Sequence, residues 1–297
     1  MKVAITGGTG FLGRELVKFL IKNGNFVPIT IGRRSISENE KSEYRKTDYT
    51  QESLEIVLRD IDAVIHLAAI RGADGKISDF HENETITENL YESCVNLGIK
   101  NIVFASSISV YSDTTKIPWK EEQVPRPKTL YGISKIACEY LGEVYHRKYG
   151  LNVKCLRIAH ILGEHEKKGY MMNTFIDNAF ERKTLKVSGR SLAKREFVYI
   201  KDVIKAIYTA VSKPKIHGVF NIGSNEAHTN LEIAEIVNEC FDNKKNMIYD
   251  NLREEGIESS LMDSSKAKRE LDYISEFSLE EALRDIKKIK LEGANDV

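Results

Sequence analysis

Three polar residues have the types and the spacing of a proton-transfer site. Ser107 follows the short apolar run 102–105, and Tyr131 lies 24 residues after Ser107 and four residues before Lys135. On a helix, this four-residue spacing places the phenol and the ammonium on one face. A phenol is a poor base at neutral pH, but a nearby ammonium favours its phenolate. We therefore expect Tyr131 to take a proton from a substrate hydroxyl that Ser107 orients, while a hydride leaves the same carbon.

The Tyr-x-x-x-Lys spacing alone is weak evidence, because a chain with 13 tyrosines contains it about once by chance. Its position carries the argument. Ser106 and Ser107 end a strand-like segment, and Tyr131 begins a helical one. Open parallel sheets bind ligands at the carboxyl ends of their strands. The alternative interpretation is a tyrosine and a lysine on a helix surface beside two strand-end serines.

Strand-like and helix-like segments alternate along the first half of the chain. Pro28 lacks an N–H donor, which favours a start of the second strand after it. The alternation predicts an α/β fold, a Rossmann-type doubly wound parallel sheet covered by helices on both faces. The predicted strands are 2–6, 26–31, 44–47, 63–67, 102–105 and 153–159, and the predicted helices are 11–21, 54–58, 83–96 and 131–149.

A glycine-rich turn joins the first predicted strand to the first predicted helix. Gly7 and Gly10 would let the backbone turn tightly and approach a pyrophosphate, and Gly13 would let the helix pack on the strand. The helix N-terminus adds N–H donors and the positive end of its dipole. An ordinary glycine turn is the alternative. We predict a dinucleotide site formed by Gly7, Thr9, Gly10, Phe11, Leu12 and Gly13.

The end of the second predicted strand bears on the choice of dinucleotide. NAD-binding sites place a carboxylate there to bond the ribose 2′-hydroxyl. This chain has Arg33 and Arg34 at that point and no acid. Either arginine could hold a 2′-phosphate through charge-assisted hydrogen bonds, although two solvated loop arginines are the alternative. The sequence allows NAD or NADP and leans to NADP.

The regular alternation of strands and helices weakens beyond residue 163. We expect a dinucleotide-binding domain over 1–163 and a smaller, mainly substrate-binding α/β region over 164–297. The segment 195–224 is expected to return to the first domain.

Together these motifs resemble the extended short-chain dehydrogenase/reductase superfamily, in its NAD-dependent epimerase/dehydratase branch. The likeness extends over nearly the whole chain, and its motifs occur in the family's order, which makes the resemblance specific. The similar segments are DAVIHLAA at 62–69, LRIAHILG at 156–163, REFVYIKDV at 195–203, NIGS at 221–224 and DSSKAKREL at 263–271.

The resemblance implies further cofactor contacts. Lys135 would bond the nicotinamide ribose in addition to assisting Tyr131. The remaining implied contacts are Asp48, Leu67, Ala68, Ala69 and Asn83.

The resemblance also implies a nucleotide-sugar substrate. Arg195 and Arg253 stand where the family binds the diphosphate, and two guanidinium groups would orient that anion. His160 replaces an asparagine of the family, and we expect it to pack or to contact the substrate. Ser107-Ile108-Ser109 stands where the dehydratases carry Thr-Asp-Glu, which disfavours elimination of water.

Composition and charge exclude several classes of protein. The chain has 297 residues with 44 basic and 44 acidic side chains, so no nucleic-acid or membrane partner is expected. No run of 18 apolar residues or secretory leader is visible. Four widely spaced cysteines form neither a metal nor a disulfide pattern, and His160 with His165 has no matching ligand set. We expect reduced thiols, no metal and a cytoplasmic location.

These observations lead to one functional hypothesis and two alternatives. The chain is expected to epimerise a nucleoside-diphosphate sugar, at C4, through a transient 4-keto intermediate. The first alternative is an NADPH-dependent reductase of a 4-keto nucleotide sugar, and the second is a non-catalytic NADP-sensing regulator. The resemblance also implies a homodimer that pairs through the helix carrying Tyr131 and Lys135 and through its neighbouring helix.

Overall fold

The chain forms one large parallel sheet and two small sheets, surrounded by helices. The computed structural model describes residues 1–34, 42–72, 75–166, 169–244, 246–250 and 258–295. The strands are β1 (Lys2–Thr6), β2 (Val27–Gly32), β3 (Glu43–Lys46), β4 (Ala63–His66), β5 (Asn101–Ser107), β6 (Asn152–Ile158), β7 (His160–Leu162), β8 (Leu185–Ser188), β9 (Lys194–Tyr199), β10 (Gly218–Ile222), β11 (Ala227–Thr229) and β12 (Met247–Asp250). The helices are α1 (Phe11–Asn23), α2 (Gln51–Val57), α3 (His81–Leu97), α4 (Leu130–Tyr149), α5 (Met171–Phe180), α6 (Ile200–Val211), α7 (Asn230–Cys240), α8 (Ser265–Leu271) and α9 (Leu279–Asn295).

The large sheet has the order β3-β2-β1-β4-β5-β6-β10, and all its pairings are parallel. Alternate residues of a strand point to opposite faces, so each face can carry its own core. In β1, Val3 and Ile5 belong to the core with α1 and α6, and Ala4 belongs to the core with α2, α3 and α4. The sequence prediction of a doubly wound α/β fold is confirmed.

Pro28 lies inside β2, so the prediction that this strand begins after the proline is wrong. The N–H of Val27 donates to the carbonyl of Met1, 3.0 Å away, on the β1 side. The nitrogen of the next residue, Pro28, therefore faces the β3 side, where pairing begins only at Ile29. No ladder hydrogen bond is lost at the proline.

The second half of the chain contributes to both the large and the small sheets. β10 joins the large sheet beside β6, whereas β9 pairs with β7 and β11 in a three-stranded sheet. β8 and β12 form a two-stranded parallel sheet. The segment 195–224 is thus shared between the sheets, and the division into domains at residue 163 stays a prediction. Within the described ranges, no helix has the length and apolar character needed to cross a membrane.

Candidate functional site

A cleft of about 710 Å³ opens where β1, β4, β5 and β6 of the large sheet end and faces the small sheet that contains β7 and β9. Parallel strands present their carboxyl ends to ligands in this way. The cleft brings together sixteen of the predicted site residues, namely Gly7, Thr9, Gly10, Phe11, Leu12, Gly13, Arg33, Arg34, Leu67, Ala68, Ala69, Ser107, Tyr131, Lys135, His160 and Arg195.

The glycine turn brings backbone into the cleft at distances that side chains would prevent. Gly7 has a φ of 70°, and a Cβ on it would lie 2.8 Å from the nitrogen of Ala68. A Cβ on Gly13 would lie 2.2 Å from the carbonyl oxygen of Gly7. The N-terminus of α1 has no side-chain cap and no acid in its first turn. Its N–H groups and dipole are therefore suited to the pyrophosphate of a dinucleotide.

A buried histidine supports the next segment of the cleft wall. The hydroxyl of Thr6 lies 2.6 Å from Nδ1 of His66 and accepts the N–H of Ala68 at 3.2 Å. Burial, together with the charge of Lys135, lowers the pKa of His66 to about 3. The imidazole is therefore neutral and acts as a hydrogen-bonding link that holds the segment 67–69 beside the glycine turn.

Tyr131 and Lys135 lie together at the start of α4. Thr129 caps this helix by accepting the N–H of Gly132 at 3.0 Å. The Nζ atom of Lys135 donates to the carbonyl of Ala105 at 2.7 Å and lies 5.6 Å from the centre of the Tyr131 ring. Lys135 is buried. The ammonium is thus held between β5 and the phenol, as the four-residue spacing predicts.

Ser107 is oriented by its own turn. Its hydroxyl oxygen accepts the N–H of Ser109 at 3.1 Å and donates to the hydroxyl of Ser109 at the same distance. The helix α4 packs closely on this turn, since a Cβ on Gly132 would lie 2.3 Å from the carbonyl oxygen of Ser109. Ser107, Tyr131 and Lys135 consequently line the same part of the cleft.

Arg195 of β9 supplies a cation from the opposite side. Its Nη1 makes a long contact of 3.9 Å with the sulfur of Met171. Among the described residues no carboxylate forms an ion pair with this guanidinium. Burial lowers the pKa of this guanidinium. A half-buried cation without a protein anion is suited to a phosphate ligand.

His160 of β7 lies close to Arg195. Its Nδ1 is 3.2 Å from the carbonyl of Glu196, which can only accept, so Nδ1 carries the proton. Burial and the nearby Arg195 charge lower the pKa of His160 to about 4. The neutral ring therefore presents Nε2 as a hydrogen-bond acceptor, whereas the side-chain amide of the asparagine that it replaces could donate.

Two described residues that the sequence assigns to the site, Asp48 and Asn83, do not line the cleft. Asp48 is exposed and accepts the N–H and the hydroxyl of Thr50, and these bonds lower its pKa. Asn83 is buried behind the wall, where its amide bonds the backbone N–H and carbonyl of Ile70 at 2.7 and 3.1 Å. Arg253 lies outside the described residues.

The sequence reading missed several residues of the cleft. Arg71 donates to Glu166 at 3.2 Å, and the two side chains connect the segment after β4 to the segment after β7. Arg71 lies two residues after the end of the cofactor-side motif at 62–69, and this nearness is a signal that could have identified it. Tyr44, Tyr49, Tyr170, Met171 and Asn173 also line the cleft, and their scattered positions carry no motif.

Comparison with known proteins adds a family and close structural relatives. The model of the "NAD dependent epimerase/dehydratase family" matches residues 3–223. A putative UDP-glucose 4-epimerase of Methanocaldococcus jannaschii is 30% identical over 298 residues, which cover 96% of each chain. The solved UDP-N-acetylglucosamine 4-epimerase of Bacillus cereus is 47% identical, with a TM-score of 0.90 over 97% of this chain and 99% of that one. A UDP-glucuronic acid 4-epimerase of Bacillus cereus, solved with UDP-glucuronic acid and NAD, is 26% identical, with a TM-score of 0.86 over 98% and 99% of the two chains.

Proposed function

The chain belongs to the NAD dependent epimerase/dehydratase family, and on that premise we propose that it is an NAD-dependent nucleoside-diphosphate-sugar 4-epimerase. One observation carries the proposal. Tyr131, Lys135 and Ser107 line a cleft that also holds an uncapped helix N-terminus on one side. On the other side lies Arg195, which forms no ion pair with a carboxylate of the described residues. This arrangement suits a dinucleotide and a diphosphate-linked substrate lying end to end.

The catalytic residues have separate tasks in this proposal. Ser107 holds the C4 hydroxyl of the sugar, and Tyr131 removes its proton. The ammonium of Lys135, 5.6 Å from the Tyr131 ring centre, favours the phenolate that accepts this proton. A nicotinamide bound in the cleft would supply the acceptor that takes the hydride from C4 and later gives it back. When the ketone at C4 is reduced again from its other face, Tyr131 returns the proton, and the product is the C4 epimer.

Anchoring at the diphosphate permits the sugar to turn between the two half-reactions. Arg195 contacts a part of the substrate that does not react, so its binding energy does not restrain the ring. A hydride must reach both faces of C4 in an epimerase but only one face in a reductase. The 4-epimerase relatives support transfer to both faces, as in an epimerase, and the reductase and regulator alternatives are not favoured.

We propose NAD as the cofactor and not NADP. Arg33 forms an ion pair with Glu82 and lies 6.0 Å from the Tyr49 ring centre. Its charge is therefore already paired, and Glu82 would repel a 2′-phosphate. Two of the solved relatives, a UDP-glucuronic acid 4-epimerase of Bacillus cereus and MoeE5, are complexes with UDP-glucuronic acid and NAD. The leaning to NADP that Arg33 and Arg34 suggest is not supported.

The substrate proposed is a UDP-sugar, since the 4-epimerase relatives are named for UDP-glucose, UDP-glucuronate and UDP-N-acetylglucosamine. The experiment that tests this gives the protein one equivalent of NAD per chain and a large excess of each UDP-sugar, with dTDP- and GDP-glucose for comparison. Appearance of the C4 epimer by NMR over many turnovers supports the proposal. Reaction only with NADPH and a 4-keto sugar would favour the reductase, and no reaction under either condition would favour the regulator.

We also propose that two copies of the chain pair through the exposed face of α4. Ile133, Tyr140 and Val144 lie on this face at helical spacing and are 40%, 61% and 43% exposed. Light scattering of the purified protein is expected to give the mass of a dimer. The variant Tyr140→Asp is expected to shift that mass to a monomer, and an unchanged mass would contradict this interface.

A further inference from the structure

A buried ion pair lies behind the catalytic residues and outside the motif that identified them. Glu139 and Arg157 are each 3% exposed at the side chain. Nε of Arg157 lies 3.0 and 3.2 Å from the two carboxylate oxygens of Glu139, and Nη2 lies 2.6 Å from one of them. A charge pair buried this deeply is costly to form, and packed apolar residues would often be as stable. Its presence calls for an explanation other than stability.

The pair is placed so that it connects the elements that carry the catalytic groups. Tyr131, Lys135 and Glu139 are four residues apart on α4 and therefore share one face. The Glu139 carboxylate also accepts the hydroxyl hydrogen of Ser106, the neighbour of Ser107. Ser106 and Arg157 are register partners across β5 and β6. One carboxylate thus ties the helix to both strands.

Further contacts hold the arginine in turn. Nη1 of Arg157 donates to the hydroxyl of Tyr111 at 2.6 Å, and that hydroxyl donates to Asn221 of β10 at 2.9 Å. The Arg157 guanidinium also stacks 4.8 Å from the centre of the Tyr111 ring. Each of the three guanidinium nitrogens therefore has a partner. Because the guanidinium is fixed in this way, it holds the Glu139 carboxylate in one position relative to the sheet.

We propose that the Glu139–Arg157 pair is a positioning device that sets Tyr131 and Lys135 against Ser107 along the axis of α4. This proposal rests on the proposed function, because the ion pair acts through those three residues and touches no substrate. A helix can slide along a sheet by a fraction of a turn while its apolar contacts survive. The directional bonds from Glu139 to Ser106 and Arg157 prevent that movement, and a displacement near 1 Å is enough to cost about 100-fold in rate.

The test uses two variants that leave no isolated buried charge. Ser106→Ala keeps the ion pair but removes its bond to β5. The double variant Glu139→Leu/Arg157→Met removes both charges and fills their volume. We expect the first variant to lower kcat about 10-fold and the second about 100-fold, with KM for the UDP-sugar and the affinity for NAD within twofold of the wild type. Ser106→Thr, which keeps the hydroxyl, is expected to restore most of kcat.

The matched control is Arg147→Met, which breaks the exposed pair between Arg147 and Glu143 on the same helix. It is expected to leave kcat unchanged. Hydrogen exchange adds a readout that needs no catalysis: segments 105–110 and 129–135 should exchange faster in the double variant than in this control. A folded double variant with wild-type kcat or with unchanged exchange in both segments would overturn the proposal. If the wild type epimerises no nucleotide sugar, the proposed function fails, and the exchange measurement alone decides the positioning role.

Discussion

Arg195 and His160 line the cleft side by side but offer opposite hydrogen-bonding groups. The guanidinium can only donate, whereas the neutral imidazole presents an acceptor at Nε2 because its Nδ1 proton is used by the Glu196 carbonyl. A diphosphate carries only acceptors, so Arg195 is the group that suits it. His160 suits a hydroxyl or an amide N–H of the sugar portion. The family position at 160 has therefore changed from a possible donor to an acceptor.

Replacing Arg195 should weaken substrate binding more than catalysis. A hydrogen bond to a charged group contributes about 1.5–3 kcal/mol, or roughly 10- to 100-fold. Arg195→Met is therefore expected to raise KM for the UDP-sugar by that factor with kcat within about threefold, as measured by steady-state kinetics. The exposed Arg59→Met serves as the control. An unchanged KM, or a loss carried by kcat alone, would show that Arg195 does not anchor the substrate.

The choice of cofactor is expected to depend on Glu82. Glu82→Gln removes the carboxylate that pairs with Arg33 and frees the guanidinium for a 2′-phosphate. We expect the affinity for NADP to rise about 10-fold and that for NAD to stay within twofold, measured by fluorescence titration with the reduced cofactors. A wild-type protein that already binds NADP more tightly than NAD would contradict the assignment.

At the scale of elements, the first turn of α4 and the turn after β5 must approach closely. A Cβ at Gly132 would meet the Ser109 carbonyl at 2.3 Å and Pro127 at 2.9 Å. Gly132→Ala is expected to destabilise the protein by about 1–3 kcal/mol, as overpacking does, and to lower kcat by moving Tyr131 from Ser107.

Urea unfolding measures this effect, and a second helical glycine gives the control. Gly293 in α9 has nothing within 4 Å of a built Cβ. Gly293→Ala should therefore be neutral or stabilise the protein by up to about 1 kcal/mol. Equal unfolding midpoints for the two alanine variants would show that a side chain at position 132 does not lower the stability of the protein.

The sequence predicted the elements well where a periodic pattern meets a turn signal. The strands and helices of the first half follow from apolar spacing and glycine turns, and the structure has them in the predicted order. The prediction at Pro28 was wrong because a missing N–H donor matters only if the nitrogen faces a paired strand. A sequence pattern cannot show which way the nitrogen faces. Asn83 and Glu139 act through bonds to Ile70, Ser106 and Arg157 that are distant in sequence. Such partners become visible only when the fold brings them together.

For the whole molecule, the balance of 44 basic and 44 acidic residues conceals a local imbalance. Among the residues the structure describes, the cleft is lined by five arginine or lysine side chains and one carboxylate, Glu166. The net charge of zero is therefore compatible with a cleft that attracts anions such as a dinucleotide and a nucleotide sugar.

The stability of the fold should fall in mild acid partly through His66. Its pKa is lowered to about 3 in the folded chain from an ordinary 6.5, so below pH 6.5 the unfolded chain binds a proton that the folded one does not. The stability that the neutral imidazole contributes is fully present above pH 6.5 and is lost as the pH falls towards 3. His66 alone should lower the free energy of unfolding by about 2 kcal/mol at pH 5 relative to pH 8.

Urea unfolding of His66→Gln at these two pH values isolates the contribution of His66. The difference in the free energy of unfolding between pH 8 and pH 5 should be about 2 kcal/mol smaller than in the wild type. The exposed His81→Gln is the control and should retain the wild-type difference. A variant of His66 with the full wild-type pH dependence would show that the buried imidazole is not the origin.

The proposal of a C4 epimerase is tested most directly by following the hydrogen at C4. The protein is given one equivalent of NAD and an excess of UDP-sugar labelled with deuterium at C4, and the products are read by NMR. We predict many turnovers in which the C4 epimer keeps its deuterium, and a rate about 10²- to 10⁴-fold lower for Tyr131→Phe. Loss of the label to water, or turnover only when NADPH is supplied, would contradict the account.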